Sequence, residues 1–287
     1  MAISGSGIQA DPYVVHDWDE LVTAMSGYCV ELANDIQAPS STVSLTSNTL
    51  WSLDGKGYAI NGLAVSPSGD NPAIYFRRSG SAGGSTIKDI SFTNIHCLSN
   101  GAFIGIATDG DYKTESYDNV SFSGIFDNGG ILIRGYEGST YGGDVALRIA
   151  TNIETTSGAF SLIDNAYDSN RGSIQNSNIV LKYVNCTPTR KLCRKKTSDT
   201  DIGTISNSLL NLSLEQATNK LDIGAGVFTC AIIGKGNGVI ISTGSGVSVV
   251  EDTLPLQTSL SNIHSLTTAQ MKDAQYLHDL GFPIGVD

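Results

Sequence analysis

The chain predicts an all-β fold in one domain, a single-stranded right-handed parallel β-helix, and three observations support this. Apolar positions recur at steps of 30, 29, 30 and 31 residues, at Ile90, Val120, Ile149, Ile179 and Leu210. Each lies in a strand-like run, at 87–95, 117–125, 145–153, 174–184 and 205–214. The composition, with 32 Gly and only 16% charged residues, suits short strands joined by tight turns. A fixed period of this size is typical of stacked repeats, each too thin to bury a core alone.

Residues 1–41 predict an entry region with a cap helix. Asp17 is a good N-cap for a helix over residues 18–26, and Asp19 and Glu20 place acid in its first turn, where it suits the helix dipole. Such a helix would close the open end of the stack, where an elongated sheet otherwise exposes unpaired backbone groups.

Residues 42–264 predict the parallel β-helix itself. The turn Asp54-Gly55-Lys56-Gly57 separates two of its first strands. Loops at 107–116, 136–143, 164–172 and 187–201 interrupt the repeat near its own period, so we expect them to project from one side and carry binding residues.

Residues 265–287 predict a C-terminal helical tail. The run 265–280 (SLTTAQMKDAQYLHDL) has Thr267 or Thr268 as its N-cap and Gly281 as its C-cap.

Residues 50–63 (LWSLDGKGYAINGL) resemble the opening coils of pectin-lyase-like right-handed parallel β-helices. The opening segment GSGxxxDPYVVxDWDELVTA and the closing segment LTTxQMKDAxxLxxLGF resemble the ends of β-helical proteins of bacterial surface adhesins and gut phages. These resemblances imply an architecture and a structural class, and they imply no activity.

Charge and the opening residues restrict the partners. A net charge of −11 disfavours nucleic acid and anionic membrane surfaces. The opening MAISGSGIQADPYVV has neither the basic nor the apolar region of a signal peptide, so we expect a cytosolic product or one released by virion assembly and lysis. The five scattered cysteines favour free thiols over a disulfide framework.

Loop carboxylates are the candidates for catalysis if the protein is an enzyme. Asp164 and Asp168 lie close together, and Asp144 is a third candidate for the carboxylate pair of a glycoside hydrolase or lyase. The alternative is Asx-turns between coils. Because the N-T-D, D-D, G-H-G and R-x-K set of polygalacturonases and the Arg-Pro-x-x-Arg pattern of pectate lyases are absent, the sequence favours a non-enzyme.

A metal site has one weak candidate, and the sequence predicts no cofactor. Asp109, Asp111 and Glu115 are crowded enough to bind a cation, but the order of an EF-hand fails after the second acid, which favours a solvated turn.

A basic run stands out in this acidic chain. It comprises Arg190, Lys191, Arg194, Lys195 and Lys196, and it reads either as a solvated loop or as a docking loop for an acidic neighbour.

These features together predict a structural or receptor-binding component of a bacteriophage virion, of the tail-spike, fibre or decoration type. Its expected partners are other virion proteins, further copies of itself, with a trimer favoured, and a host surface glycan. Neither nucleic acid nor membrane insertion is expected. The alternatives are a polysaccharide depolymerase that uses the loop carboxylates, and a bacterial surface adhesin.

Overall fold

The fold is described from a computed structural model of the chain. It describes residues 3–47, 49–67, 72–78, 85–108, 115–137, 145–165, 172–195, 203–215, 221–223, 227–235, 239–240, 247–250, 256–257, 263–266, 268–271, 273 and 275–276. Over these residues the chain is a parallel β-solenoid with few helical residues, which confirms the predicted fold class. Its right hand stays a prediction.

The described elements follow one another along the chain as short strands with one helix near each end. They are β1 (Tyr13–Val15), α1 (Trp18–Ala24), β2 (Cys29–Leu32), β3 (Ile36–Gln37), β4 (Leu45–Ser47), β5 (Ser52–Asp54), β6 (Ala59–Asn61), β7 (Ala64–Val65), β8 (Ile74–Arg78), β9 (Thr86–Cys97), β10 (Ala102–Thr108), β11 (Glu115–Phe126), β12 (Gly130–Glu137), β13 (Val145–Thr155), β14 (Phe160–Asn165), β15 (Gly172–Gln175), β16 (Asn178–Val184), β17 (Cys193–Lys195), β18 (Gly203–Glu215), β19 (Leu221–Asp222), β20 (Val227–Lys235), β21 (Val239–Ile240), β22 (Val247–Val250), β23 (Leu256–Gln257), β24 (Ile263–Leu266) and α2 (Thr268–Met271).

The strands form a long sheet, a short sheet and a small third sheet. Among the described strands, the long sheet follows the order β1-β2-β5-β9-β11-β13-β15-β18-β20-β22-β24, with further short strands beside this path. The short sheet follows the order β17-β14-β12-β10-β8-β4, and the third sheet pairs β19, β21 and β23. The coils of β9, β11, β13 and β15–β16 therefore return through the short sheet, and the coils of β18, β20 and β22 are followed by the strands of the third sheet.

The predicted period corresponds to real pairing for most of the chain. Ile90 pairs with Val120 and Val120 with Ile149, and Ile179 pairs with Leu210. The shorter step of 29 residues has a simple cause. Asn119 has a left-handed φ of 55° at the corner of β11, and β13 passes the same corner without an equivalent residue, so the register shifts between Asp118 and Val120.

One link of the predicted ladder is wrong. Ile179 pairs with Thr151, two residues beyond Ile149, so the aliphatic column that ends at Ile149 does not continue to Ile179. The backbone N–H of Ile149 instead donates to the hydroxyl of Ser177, which stands 3.0 Å away in the next coil. Ser177 is 4% exposed and hydrogen-bonded, so the interior holds a polar residue at a position where the predicted ladder has an aliphatic one.

The interior of the described coils is closed by aromatic rings. Phe92 stacks on Phe122 with ring centroids 5.4 Å apart and planes 9° from parallel, and Phe103 of the short sheet meets both rings edge-on. The edge-to-face contacts continue through Phe126 to Phe160. Offset and edge-on pairs satisfy the ring quadrupoles, so these rings bind the two sheets together as well as filling volume.

The N-terminal helix α1 begins where the sequence predicts and ends two residues earlier. The carboxylate of Asp17 accepts the backbone N–H of Glu20 at 2.9 Å, and the helix runs from Trp18 to Ala24. Glu20, Leu21 and Ala24 are its buried residues. Its role as a cap that closes the solenoid stays a prediction, as does the division of the chain at residues 41 and 264.

The C-terminal helix differs from its prediction at its start. Residues 265 and 266 belong to β24, which pairs in parallel with β22, so the helix begins at Thr268. The apolar residues Ile263 and Leu266 suit a further strand, and the ladder extends to them. The described part of α2 ends at Met271, and residues 277–280 lie outside the described residues. Within the described part of the chain, no helix is long and apolar enough to span a membrane.

Candidate functional site

A polar groove runs along the outer face of the long sheet, where each coil turns a corner. Asp89, Asn119 and Asn176 occupy this corner with left-handed φ values of 49°, 55° and 48°. Asp and Asn tolerate this conformation better than other non-glycine residues, which explains their recurrence here. The bend makes the outer face concave between the strand segments on either side of the corner.

The groove consists of two adjoining clefts of about 340 and 290 Å³. Arg148 and Asn176 line both. The larger cleft reaches from Gly57 to Asn178 across five successive coils, so the groove is roughly 19 Å long at a strand spacing of about 4.8 Å.

At the coils of β9 and β11 the groove presents matching polar groups, and these side chains hydrogen-bond to one another across the two coils. The amide of Asn119 donates to the carboxylate of Asp89 at 2.7 Å. The hydroxyl of Ser121 donates to that of Ser91 at 2.7 Å, and the hydroxyls of Thr86 and Ser116 are 2.9 Å apart. These bonds align donors and acceptors parallel to the solenoid axis over two coils, and β13 then places Ala146 and Ala150 at the positions of Ser116 and Ser121.

Charge in the groove is mixed in sign. The guanidinium of Arg148 lies 3.4 Å from the carboxylate of Asp118, and the two side chains are 61% and 56% exposed. Both therefore remain available to a ligand. An array of hydroxyls, amides and one open ion pair matches a ligand that carries many hydroxyl groups and little net charge.

The buried carboxylate of Asp54 lies in a cluster of charged side chains near the N-terminal end of the groove. Asp54 accepts the backbone N–H of Lys56 at 2.9 Å, and its other oxygen lies 3.2 Å from the Lys56 ammonium and 3.0 Å from that of Lys88. Burial raises the pKa of Asp54, but the Lys56 N–H and the two ammonium groups outweigh it, so the pKa is lowered overall. Glu31, at 2.9 Å, and Asp54 in turn raise the pKa of Lys56.

This cluster predicts a pH dependence of stability. Because the pKa of Asp54 is lower in the folded chain, its stabilisation is complete above the unfolded-state pKa and is lost as pH falls through the folded-state value. We expect Asp54→Asn to cost about 1 kcal/mol of unfolding free energy near pH 7, and the difference from wild type to shrink below about pH 4. Urea denaturation of both proteins across this range measures it. A difference that stays constant with pH would contradict the assignment.

Asp164, the first catalytic candidate, lies in β14 rather than in a loop. Its side chain is fully buried, and its Oδ2 is 3.2 Å from a guanidinium nitrogen of Arg134 and 3.0 Å from one of Arg194. The three residues share one register position in neighbouring strands of the short sheet, which brings them together. Asp164 therefore serves an internal ion cluster. Asp168 and Asp144 lie outside the described residues.

The basic run is more structural than its charge suggests. Arg190 is partly buried and donates to the carbonyl of Ala159 at 3.2 Å, and burial together with Arg194 lowers its pKa. The backbone carbonyl of Lys191 accepts the hydroxyl of Ser161. Arg194 is engaged by Asp164, Lys195 ends β17, and Lys196 lies outside the described residues. Docking by this run stays a prediction.

The structure gives little further support to the predicted metal site or to a reactive cysteine. Asp109 and Asp111 lie outside the described residues, and Glu115 begins β11. Within the described ranges, no group of three His, Cys, Asp or Glu side chains is placed to hold a metal ion. Cys97, Cys186 and Cys193 are free thiols, and burial raises the pKa of Cys97 to about 11, so this thiol is unreactive near neutral pH.

Sequence reasoning missed the groove residues, although a signal for them was present. The runs KDISF and DNVSF place Asp89 and Asn119 at one register position, with Ser91 and Ser121 following at the next outward position. Polar residues that recur with the period of an apolar ladder mark an outer row. The sequence-based prediction placed the binding residues on the loops between coils instead.

No protein-family model and no curated protein matches the chain. Among solved structures, a putative immunoglobulin A1 protease from Bacteroides ovatus is similar over 96% of this chain and 89% of its own, with 13% identity and a TM-score of 0.49. L. reuteri 53608 SRRP is similar over 88% of this chain and 98% of its own, with 14% identity and a TM-score of 0.33.

Proposed function

We propose that this protein binds an extended carbohydrate chain along the polar groove of the long sheet, as a non-enzymatic recognition protein. The observation that carries the proposal is the set of hydroxyl and amide groups that match between the coils of β9 and β11, beside Arg148 of the next coil. A ligand that repeats along its own axis meets the same kinds of group at these two coils.

The spacing of the rows supports a glycan in particular. Neighbouring strands are about 4.8 Å apart, a distance comparable to the advance of one hexose unit in an extended chain. Each sugar would face one coil, and two successive sugars would meet matching side chains at β9 and β11. A groove across five coils accommodates about four such units.

The mixed charge of the groove supports a neutral glycan. Asp89 and Asp118 oppose a strongly acidic polymer, while Arg148 supplies one charged donor that hydroxyl groups accept well. Recognition then depends on many modest hydrogen bonds, which suits reversible attachment to a surface.

The biological setting follows the sequence prediction. We propose a host-surface glycan as the ligand and a bacteriophage virion as the site of action, with further copies of the chain and other virion proteins as partners. A bacterial adhesin would use the same groove in the same way. Purification of particles followed by detection of this chain separates the two settings.

The groove is tested by filling it. Ala150 is exposed and lines the larger cleft, so Ala150→Gln introduces a long neutral side chain without removing a bond, and Ala150→Ser is its matched control. We expect a hexasaccharide identified on a glycan array to bind wild type and Ala150→Ser equally, and Ala150→Gln at least roughly tenfold more weakly by calorimetry.

A charge-matched pair completes the test. Arg148→Ala removes a groove cation, whereas Lys182→Ala removes a cation that faces Glu154 at another position of the long sheet. We expect roughly tenfold weaker binding for Arg148→Ala and none of that loss for Lys182→Ala. Equal affinities for wild type, Ala150→Gln and Arg148→Ala would overturn the proposal.

A further inference from the structure

Two aromatic side chains stand next to each other on successive coils, at the N-terminal approach to the groove. The rings of Tyr28 and Trp51 have centroids 4.9 Å apart and planes tilted by 43°. Tyr28 is 43% exposed, and Trp51 is partly exposed. Most other large aromatic side chains among the described residues are buried, so an open aromatic pair here is unusual for this chain.

The pair borders the groove at its N-terminal end. The backbone carbonyl of Tyr28 accepts the N–H of Trp51, and that of Trp51 accepts the N–H of Thr86 at 3.0 Å. Tyr28 and Trp51 share the register position of Ser85, and the next residue, Thr86, lines the smaller cleft. The pair therefore lies one coil away from the cleft and one register position to its side.

We infer that Tyr28 and Trp51 form a stacking platform for the terminal sugar of the bound chain, an inference that rests on the proposed function. The C–H groups on one face of a pyranose ring are apolar and slightly positive, and they pack against the negative face of an aromatic ring. The hydroxyl groups of the groove hydrogen-bond to the polar edges of the glycan, and the aromatic pair packs against the apolar face of one pyranose. The ligand class is thus a glycan with an exposed C–H face, such as a β-linked hexose polymer.

The platform would also set the direction and register of the ligand. Rows of similar hydroxyls alone allow a repeating chain to slide by one unit. A single stacking site at one end fixes which sugar lies at the first coil, so a chain long enough to reach both the aromatic pair and Arg148 binds more tightly than a shorter one.

The chain contains two tryptophans, which makes the platform directly observable. Trp18 is the first residue of α1 and packs against the core, so Trp18→Phe leaves Trp51 as the sole tryptophan reporter. Cellohexaose, chitohexaose and maltohexaose are titrated into this variant, and emission and acrylamide quenching of Trp51 are recorded. We expect a saturating emission change and reduced quenching with the hexasaccharide that binds.

Substitution of the pair supplies the second readout. We expect Tyr28→Ala to weaken hexasaccharide binding roughly tenfold, on the scale of one aromatic stacking contact, and Tyr28→Phe to retain binding. The matched control is Ile125→Ala, because Ile125 is equally exposed at 42% and is remote from the groove lining. Circular dichroism of Tyr28→Ala verifies that the fold is retained.

The outcomes separate this inference from the proposed function. A Trp51 response that saturates with the calorimetric affinity, together with weaker binding by Tyr28→Ala, supports the platform. If Ala150→Gln weakens binding while Trp51 emission does not change and Tyr28→Ala keeps the wild-type affinity, the platform is overturned and the groove proposal stands. A Trp51 response that Ala150→Gln does not alter overturns the groove and leaves the platform. Absence of binding to any of the three hexasaccharides and to the glycan array overturns both.

Discussion

Replacing Phe122 with alanine is expected to lower the free energy of unfolding by about 3–5 kcal/mol. Phe122 is 1% exposed, stacks on Phe92 and meets Phe103 of the short sheet edge-on. Its removal opens a cavity between two sheets that cannot collapse easily, because each coil is fixed by its neighbours on both sides. Guanidinium denaturation followed by circular dichroism measures the loss.

Ile125→Ala is the control for this prediction. Both residues lie in β11 and both substitutions remove apolar volume, but Ile125 is 42% exposed. We expect its effect to stay within about 0.5 kcal/mol, as is usual for surface substitutions. Similar losses for the two variants would contradict the assignment of Phe122 to the interior.

Neutralising Asp164 is the second change with a large expected effect. Asp164→Asn removes the buried carboxylate charge that faces the guanidinium groups of Arg134 and Arg194, and we expect a loss of about 3–5 kcal/mol. The matched control is Glu154→Gln, which breaks the exposed ion pair with Lys182 at 3.7 Å and should change stability by less than about 1 kcal/mol. Thermal and guanidinium denaturation compare the two variants.

A triple variant distinguishes an ion cluster from a packing effect. Asp164→Leu combined with Arg134→Met and Arg194→Met removes all three charges and keeps most of the volume. Replacing a buried ion cluster in this way is often neutral or stabilising, so we expect it to recover most of the stability lost in Asp164→Asn. A triple variant as unstable as the single one would show that the charges are not the cause. The same instability means that loss of activity in Asp164→Asn is no evidence for catalysis.

The sequence predicted the coil architecture because its main signal is local and repetitive. Ile90, Val120 and Ile149 are in register as expected, since each is buried and the two residues after it continue the alternation of outward and inward side chains. The link from Ile149 to Ile179 failed because the intervening strand divides at the corner formed by Asn176 and Ser177. An extra residue at a corner moves every later side chain of that strand by one position. The pattern of apolar residues in the sequence does not reveal whether such a residue is present.

The site was harder to predict for a related reason. Asp164 appeared as a loop acid because an aspartate surrounded by polar residues usually marks a turn, whereas two arginines from neighbouring coils satisfy it inside the sheet. Such a cluster depends on contacts about 30 residues apart, as in the hydrogen bonds from Arg134 and Arg194. The groove likewise exists only once Asp89, Asn119 and Asn176 bend three of its coils at one place.

A crystal structure with the tightest-binding hexasaccharide tests the central claim most directly. The account predicts sugar rings along the axis of the solenoid, one per coil, with hydroxyl groups bonded to the rows that contain Asn119 and Ser121 and to the guanidinium of Arg148. A glycan bound instead across the coils, or at the basic run around Arg190, with the groove left open, would contradict it.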